Sequence, residues 1–419
     1  MNIELINTGS ELLFGRILNT HQQWLCRQLT DLGYEVSRQV CVADDGASIQ
    51  AAAREALARV DLVIVTGGLG PTSDDLTRDL IAQLLGRPLA LDNEILATIE
   101  SYFTRRKRRM LESMRVQAMV PQGARVLPNP FGTAPGLAME VKPNLLRPGS
   151  GPSWLVLLPG PPRELRPMFT ASVVPLLREA FPLRQAFVCR TFKTTGMGES
   201  MVEERIAGPL RALVAEGLEL GYCARVGEVD VRLVARGERA STLVADGERV
   251  VRELLGARIF GLDDDSLEAV VVRLLRERQQ TVALAESCTG GFIANRLTNV
   301  PGASAVLPGG LVTYSNAAKE ALLGVRAETL AAHGAVSPET AREMAEGARR
   351  ALAADYALAV TGIAGPGGGT DEKPVGTVFI ALASAAAVTV DRHLFPFDRE
   401  TFKYITSQTA LDLLRGALA

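Results

Sequence analysis

The chain has 419 residues, 47% of them hydrophobic and 22% charged, with a formal net charge of −2. That length and apolar content support two or three domains, each with a core of its own, and the near-neutral balance gives no global electrostatic reason for a polyanion or a membrane as main partner. Five cysteines, Cys26, Cys41, Cys189, Cys223 and Cys288, lack CxxC or Cys/His ligand spacing; with no signal pattern in MNIELINTGSELL and no apolar run of the ~18 residues a membrane span needs, they argue for a reduced, cytoplasmic protein without structural zinc.

The first part alternates apolar, β-branched runs with helical ones: IELINT, a helix near Thr20–Leu32, EVSRQVCV, a helix near Ile49–Ala58, then DLVIVTGG. This predicts βαβ units and a parallel sheet covered on both faces, with polar glycine-rich loops at the carboxyl ends of its strands. The unit continues through PNPFGTAPGLAME and SWLVLLPGPPREL into a helix from about Arg163 to Ala180. Strands at Phe187–Thr195, Leu218–Ala224 and Glu228–Arg236, with helices around Ser200–Leu213 and Ser241–Leu255, then predict a small α+β module. After the polar interval Gly261–Val270, a third unit is expected. Its strands are Thr281–Ala285, Leu311–Ser315, Tyr356–Thr361, Gly376–Leu382 and Ala387–Phe395; its helices lie near Ser266–Gln279, Gly290–Thr298, Pro338–Ala353 and Arg399–Ala419. The fold class is therefore α/β: two three-layer α/β domains, residues 1–170 and 261–419, flank a small module at 171–260.

Two segments carry chemistry. In the first, VTGGLGPTSDDLT, a glycine-rich turn follows a buried strand and precedes a helix start, an arrangement that suits a phosphate or pyrophosphate. Gly67, Gly68, Gly70 and Thr72, with Thr8 and Glu11, are the nucleotide-binding candidates, and Asp44, Asp74, Asp75 and Glu164 the candidates for a divalent cation; the plainer reading has Asp74 and Asp75 only complementing a helix dipole. In the second, SCTGG sits at a strand-to-helix turn that lifts a side chain into a cleft and aims free backbone N–H groups at an oxyanion or phosphate. Serine needs a neighbouring base, a part that a desolvated Lys or Tyr can take, and Tyr314 and Lys319 follow one βαβ unit on. Ser287 is the nucleophile candidate, against the reading of a helix N-cap. Ser304 is the rival hydroxyl, against an ordinary turn serine. Cys288, with no His nearby, reads as a small packing residue. Thr361 and Gly362 end a strand beside this site, and Arg399 opens the last helix, where it either pairs with a phosphate or makes a surface ion pair. His333 and His393 lie outside the motif turns, and the Arg105–Arg109 run reads as a solvated helix face.

AESCTGG, GGLVTYSNAAK, GAVSPETA, TGIAGPGGGT and KPVGTV together resemble the C-terminal domain of the competence/damage-inducible CinA family, which is similar to stand-alone nicotinamide-nucleotide amidohydrolases. TGSELLFGRILNT, VTGGLGPTSDDLT, NPFGTAPG and LPGPPREL resemble the family's N-terminal domain, related to the molybdopterin-binding fold, and the middle module falls where the family has a KH-like domain. The resemblance implies a bifunctional pyridine-nucleotide hydrolase. Nicotinamide mononucleotide would be deamidated without a cofactor by a Ser287-Tyr314-Lys319 arrangement, with Thr289, Gly290, Gly291, Ser304, Thr361, Gly362 and Arg399 at the substrate. ADP-ribose would be cleaved at the N-terminal site with a divalent metal ion. It also implies a homodimer. A non-enzymatic binding protein of the competence or DNA-damage response, or a molybdopterin-binding protein, is the alternative. Three positions depart from the family pattern: His21 for Asn, Met114-Arg115 for an Asn-Arg-like pair, and Phe397 for Gly before Asp398-Arg399. The middle module has TGMGES in place of a GXXG loop, so nucleic-acid binding is not predicted.

Overall fold

Alternating strands and helices build a six-stranded sheet in the first part of the chain, as seen in a computed structural model that describes residues 1–419. Its strands are β1 (Asn2–Thr8), β2 (Glu35–Val42), β3 (Leu62–Thr66), β6 (Arg125–Leu127), β7 (Gly136–Val141) and β8 (Ser153–Leu158), in the order β2-β1-β3-β8-β7-β6; a separate short hairpin is made by β4 (Leu89–Leu91) and β5 (Met119–Pro121). β2, β1, β3 and β8 run parallel, and β7 and β6 turn antiparallel. The continuous apolar run LVIVT of β3 is explained by burial on both faces. Leu62 and Ile64 join one core layer with Leu5, Val156 and Phe169, while Val63 and Val65 join the other with Ile49, Leu155 and Leu157. The helix expected over Arg163–Ala180 is two α-helical pieces, Pro162–Met168 and Val174–Ala180, joined by a π turn at Phe169–Val173. Pro175 has no N–H for the carbonyl four residues back, which suits that widening.

The chain divides into two compact units, Met1–Phe187 and Val188–Ala419. The second unit holds two sheets. One comprises β9 (Phe187–Thr195), β10 (Glu219–Arg225), β11 (Glu228–Arg236) and β12 (Ile259–Leu262), in the order β10-β11-β9-β12, covered by helices Glu199–Ala215 and Ala240–Leu255. The other has the order β14-β13-β15-β16-β17, from β13 (Val282–Glu286), β14 (Gly309–Val312), β15 (Tyr356–Gly362), β16 (Thr377–Ala383) and β17 (Val388–Leu394). Here β14, β13 and β15 are parallel and the last two strands antiparallel. β14 ends at Val312, short of the expected Ser315, because Ser315 instead caps helix Asn316–Leu323 by accepting from the Ala318 N–H. No helix is long and apolar enough to cross a membrane.

The faces of this last sheet differ in bulk. Val282, Leu284, Leu358, Val360, Ile380 and Leu382 face helices Leu267–Arg278 and Arg399–Ala417, whereas Ala283, Ala285, Ala357, Ala359 and Ala381 face helix Pro338–Ala351. Small residues let that helix pack close, and Gly347 on it lies against the Leu323 carbonyl that ends the Lys319-bearing helix. A methyl group at 347 has nowhere to go. Gly347→Ala is therefore expected to destabilise the second unit by about 1–3 kcal/mol in urea unfolding, while Gly416→Ala, which meets open space, leaves the midpoint unchanged or slightly higher.

Candidate active sites

At the carboxyl end of β13 the chain breaks from strand to turn at Ser287. The Ser287 N–H donates to the Val360 carbonyl on β15 (3.0 Å), and the Thr313 N–H after β14 donates to the Glu286 carbonyl (2.8 Å). The turn is thus pinned between two neighbouring parallel strands. Lys319, one turn into its helix, is 1% exposed. Its Nζ lies 3.0 Å from Ser287 Oγ and donates to the Thr313 carbonyl at 2.8 Å. Burial lowers the Lys319 pKa from the ordinary 10.5 because desolvation penalises the ammonium form. A buried amine with a depressed pKa, in contact with a hydroxyl at a strand-to-helix turn, is an arrangement for generating a serine nucleophile.

Glu286 organises the turn, and sequence reasoning passed it by. Its side chain is 1% exposed and accepts from the Thr289 hydroxyl (2.7 Å) and from the N–H groups of Gly291 (3.0 Å), Ile293 (3.0 Å) and Ala294 (2.8 Å). The Gly290 and Phe292 N–H groups go to the Ser287 and Thr289 carbonyls. This corrects the expectation of free N–H groups awaiting a phosphate: the start of helix Phe292–Thr298 already holds a carboxylate of the protein. An acidic residue ending the buried run TVALA was the available signal, since a buried carboxylate must find donors. Gly290 and Gly291 have φ of 62° and 92°, and their role here is the turn itself.

The structure separates the remaining candidates. Thr289 and Thr361 are fully buried, and their hydroxyls donate to Glu286 and to the Ala335 carbonyl, so they shape the site without presenting a hydroxyl to a ligand. Gly362 leaves room for the Thr377 carbonyl and Val378 of β16. Ser304 is corrected as a rival nucleophile. It lies in the turn Ala303–Ala305, beside Val306, whose carbonyl accepts from Val282 at the start of β13, at the opposite end of a five-residue strand from Ser287. From Val282 to Ser287 is about 16 Å along the strand. Tyr314 is 62% exposed, and its bonded partner is Arg399, whose Nη1 donates to the Tyr314 hydroxyl at 3.3 Å. Arg399 Nε and Nη2 both donate to the Gly365 carbonyl, at 3.0 and 2.5 Å. Arg399 thereby joins the GGLVTYSNAAK and TGIAGPGGGT segments at the rim. The Phe397 departure leaves this intact, because Asp398 still caps the helix with bonds from Glu400 and Thr401 N–H. Cys288 is buried, which pushes its thiol up to about 12. His333 faces Glu339 and His393 stacks on Phe395.

In the first unit, the carboxyl ends of β1, β3 and β8 open into a cleft of about 360 Å³ lined by Thr8, Glu11, Asp44, Gly67, Gly68, Gly70, Asp74, Asp75 and Glu164. Gly67, with φ of 99°, lies against Thr8, and Gly68, with φ of 66°, against Thr77, so a side chain at either would collide with that threonine and strain the floor of the cleft. Thr72 is outside the lining; its N–H donates to Asp75 at 2.9 Å, and its hydroxyl also bonds that carboxylate. Asp44 accepts from the Ser10 N–H (2.8 Å) and Glu164 from Asn129 (2.8 Å). No three carboxylates or histidines converge as a ligand cage. The donor set fits a hard divalent cation only where one or two carboxylates share it with ligand phosphates and water. His21 bonds the Gly160 carbonyl of the LPGPP turn at the cleft edge, and burial lowers its pKa. Sequence reasoning missed Gln117, which lines the cleft as a buried amide held to the Leu69 carbonyl. The Arg105–Arg109 run is exposed.

Comparison with known proteins follows the same division. Residues 4–179 match the molybdopterin binding domain model, 189–261 the damage-inducible protein CinA KH domain, and 264–418 the CinA C-terminal domain. A competence-damage inducible protein of Symbiobacterium thermophilum is 50% identical over 391 residues, 91% of this chain and 88% of its own. A CinA-like protein of Akkermansia muciniphila is 47% identical over 412 residues, 98% of this chain and 96% of its own. Among solved structures, the competence/damage inducible protein CihA from Agrobacterium tumefaciens is 45% identical, covering 36% of this chain and 93% of its own, with a TM-score of 0.35.

Two measurements check the C-terminal geometry. Glu286→Ala, which orphans three backbone N–H groups and a hydroxyl, is expected to cost the second unit about 3 kcal/mol or more in urea unfolding. Alkylation at neutral pH is expected to label the exposed Cys223 and spare Cys288; modification of native Cys288 would contradict its placement.

Proposed function

This chain belongs to the CinA family, and on that premise we propose that its C-terminal site hydrolyses the carboxamide of nicotinamide mononucleotide to the carboxylate and ammonia. The observation that carries this reading is the contact of 3.0 Å between Lys319 Nζ and Ser287 Oγ. Neutral Lys319 takes the Ser287 proton as Oγ attacks the carboxamide carbon. The tetrahedral intermediate collapses with protonation of its nitrogen, ammonia leaves, and water then hydrolyses the acyl-serine ester. Tyr314, at the rim, is the proposed proton relay to the leaving nitrogen. Arg399, with N–H groups beyond those bound to Gly365 and Tyr314, is the proposed partner of the substrate phosphate, since Glu286 excludes a second anion from the adjacent helix start.

A second reading concerns the N-terminal cleft, where the glycine-rich floor and surrounding carboxylates favour a nucleotide pyrophosphate, with ADP-ribose as the proposed substrate. A divalent cation held by Asp44, Asp74, Asp75 or Glu164 together with the ligand would neutralise phosphate charge and polarise water. The chain's own part is to bring its backbone against the phosphates at Gly67 and Gly68.

Ser287→Ala is expected to abolish ammonia release from nicotinamide mononucleotide, with AMP formation from ADP-ribose unchanged; retained ammonia release refutes the serine mechanism. Because the base form of Lys319 is required and its pKa is lowered, kcat/KM should rise with pH on a limb centred below 10.5. Lys319→Arg, which stays protonated, should remove that limb together with activity. AMP formation from ADP-ribose should require added divalent metal. A folded protein silent in both assays favours a binding role in the competence or DNA-damage response, and a copurifying pterin favours molybdopterin binding.

A further inference from the structure

Helix Arg399–Ala417 enters the C-terminal site with Arg399. Eight and nine residues further along, about 12–14 Å by helix rise, Ser407 and Gln408 are buried. Both are held by Arg296, which is 6% exposed and lies one turn into the helix whose start Glu286 caps. Arg296 Nη1 donates to Ser407 Oγ at 2.8 Å, and Nη2 donates to Gln408 Oε1 and Glu268 Oε2, each at 2.7 Å. On its other side, Gln408 Nε2 donates to Glu228 Oε1 at 2.7 Å. Glu228 is the first residue of β11, and Gly227, in the β10–β11 hairpin, packs against the Gln408 side chain. The hairpin is itself fixed to β9, since the Thr195 hydroxyl donates to the Gly227 carbonyl (3.0 Å) and Lys193 pairs with Asp230 (2.7 Å).

The chemistry of the chain Glu228–Gln408–Arg296 is directional. A guanidinium only donates and a carboxylate only accepts, so a neutral side chain between them must accept from one and donate to the other. Gln408 meets this requirement, and its orientation is fixed by its neighbours. The chain links three elements: the helix after the Ser287 turn, the helix bearing Arg399, and a hairpin of the small module.

We propose that the small α+β module is a positioning element of the C-terminal site. Its β10–β11 hairpin sets the register of helix Arg399–Ala417 against helix Phe292–Thr298 through Glu228, Gln408 and Arg296, and with it the placement of Arg399 and Tyr314 relative to Ser287. This gives the module a task that needs no GXXG loop. It rests on the amidohydrolase reading for its catalytic consequence but not for its structural one, and two readouts on the full-length protein separate them.

In Gln408→Leu, hydrogen exchange is expected to quicken at the Glu400–Lys403 amides and around Thr313–Tyr314, with the rest of β13–β16 protected as in the parent. Its kcat/KM for nicotinamide mononucleotide should fall about tenfold or more, through KM as Arg399 loses its place and through kcat as Tyr314 does, with the Ser287–Lys319 contact itself untouched. Glu228→Gln, whose side-chain carbonyl still accepts from Gln408, should keep parental exchange and kinetics. Parental exchange at the helix start in Gln408→Leu overturns the proposal, as does general loss of protection across β13–β16. A parent protein that releases no ammonia refutes the amidohydrolase reading while the exchange result still decides the positioning role.

Discussion

The C-terminal site depends on one buried carboxylate. Glu286 is withdrawn from water and meets four donors from the turn that follows it, which is what makes a buried acidic side chain tolerable. Those bonds force the chain to wrap around the carboxylate, so Ser287, the next residue, projects at the end of the strand with its own N–H tied to Val360. The same bonds fill the positive end of the following helix. At the rim, Arg399 gathers Tyr314 and the Gly365 loop.

Around that turn the sheet is asymmetric, and the asymmetry bears on Lys319. Alanines on one face admit helix Pro338–Ala351, and its Gly347 lets the end of the Lys319 helix come down onto it. Lys319 is consequently buried, its amine desolvated and held by the Thr313 carbonyl beside Ser287. Burial is the physical origin of the lowered lysine pKa, because the low-dielectric surroundings disfavour the ammonium form. The first unit reaches a comparable placement with different chemistry: parallel strands end in glycines that let backbone line a cleft ringed by carboxylates.

Much of this architecture is written in local pattern. Short apolar runs such as LVIVT and TVALA, followed by glycine-rich turns, read as doubly covered parallel strands whose carboxyl edge is where sites form. Ser287 and Lys319 were legible because a serine at such a turn and a lysine in the next βα unit fall on neighbouring strands. Glu286 was not, because at the end of a strand its side chain counts against the apolar pattern until its donors are known. Ser304 was misplaced because a serine-bearing turn looks the same at either end of a sheet, and only the pairing of Val282 with Val306 assigns it to the far edge.

The sequence by itself determined the class of fold, the order of its modules, the family, and the residue types present at the candidate sites, since these follow from periodicity and short-range motif. Tertiary structure alone decided which of those residues meet. It set Lys319 against Ser287, gave Tyr314 to Arg399, turned the hydroxyls of Thr289 and Thr361 inward, and linked Glu228 to Arg296 through Gln408. Apart from Thr289 and Glu286, those partners are separated by 26 to 180 residues along the chain, and hydrogen bonding is chosen by distance and direction in space, to which sequence spacing is blind.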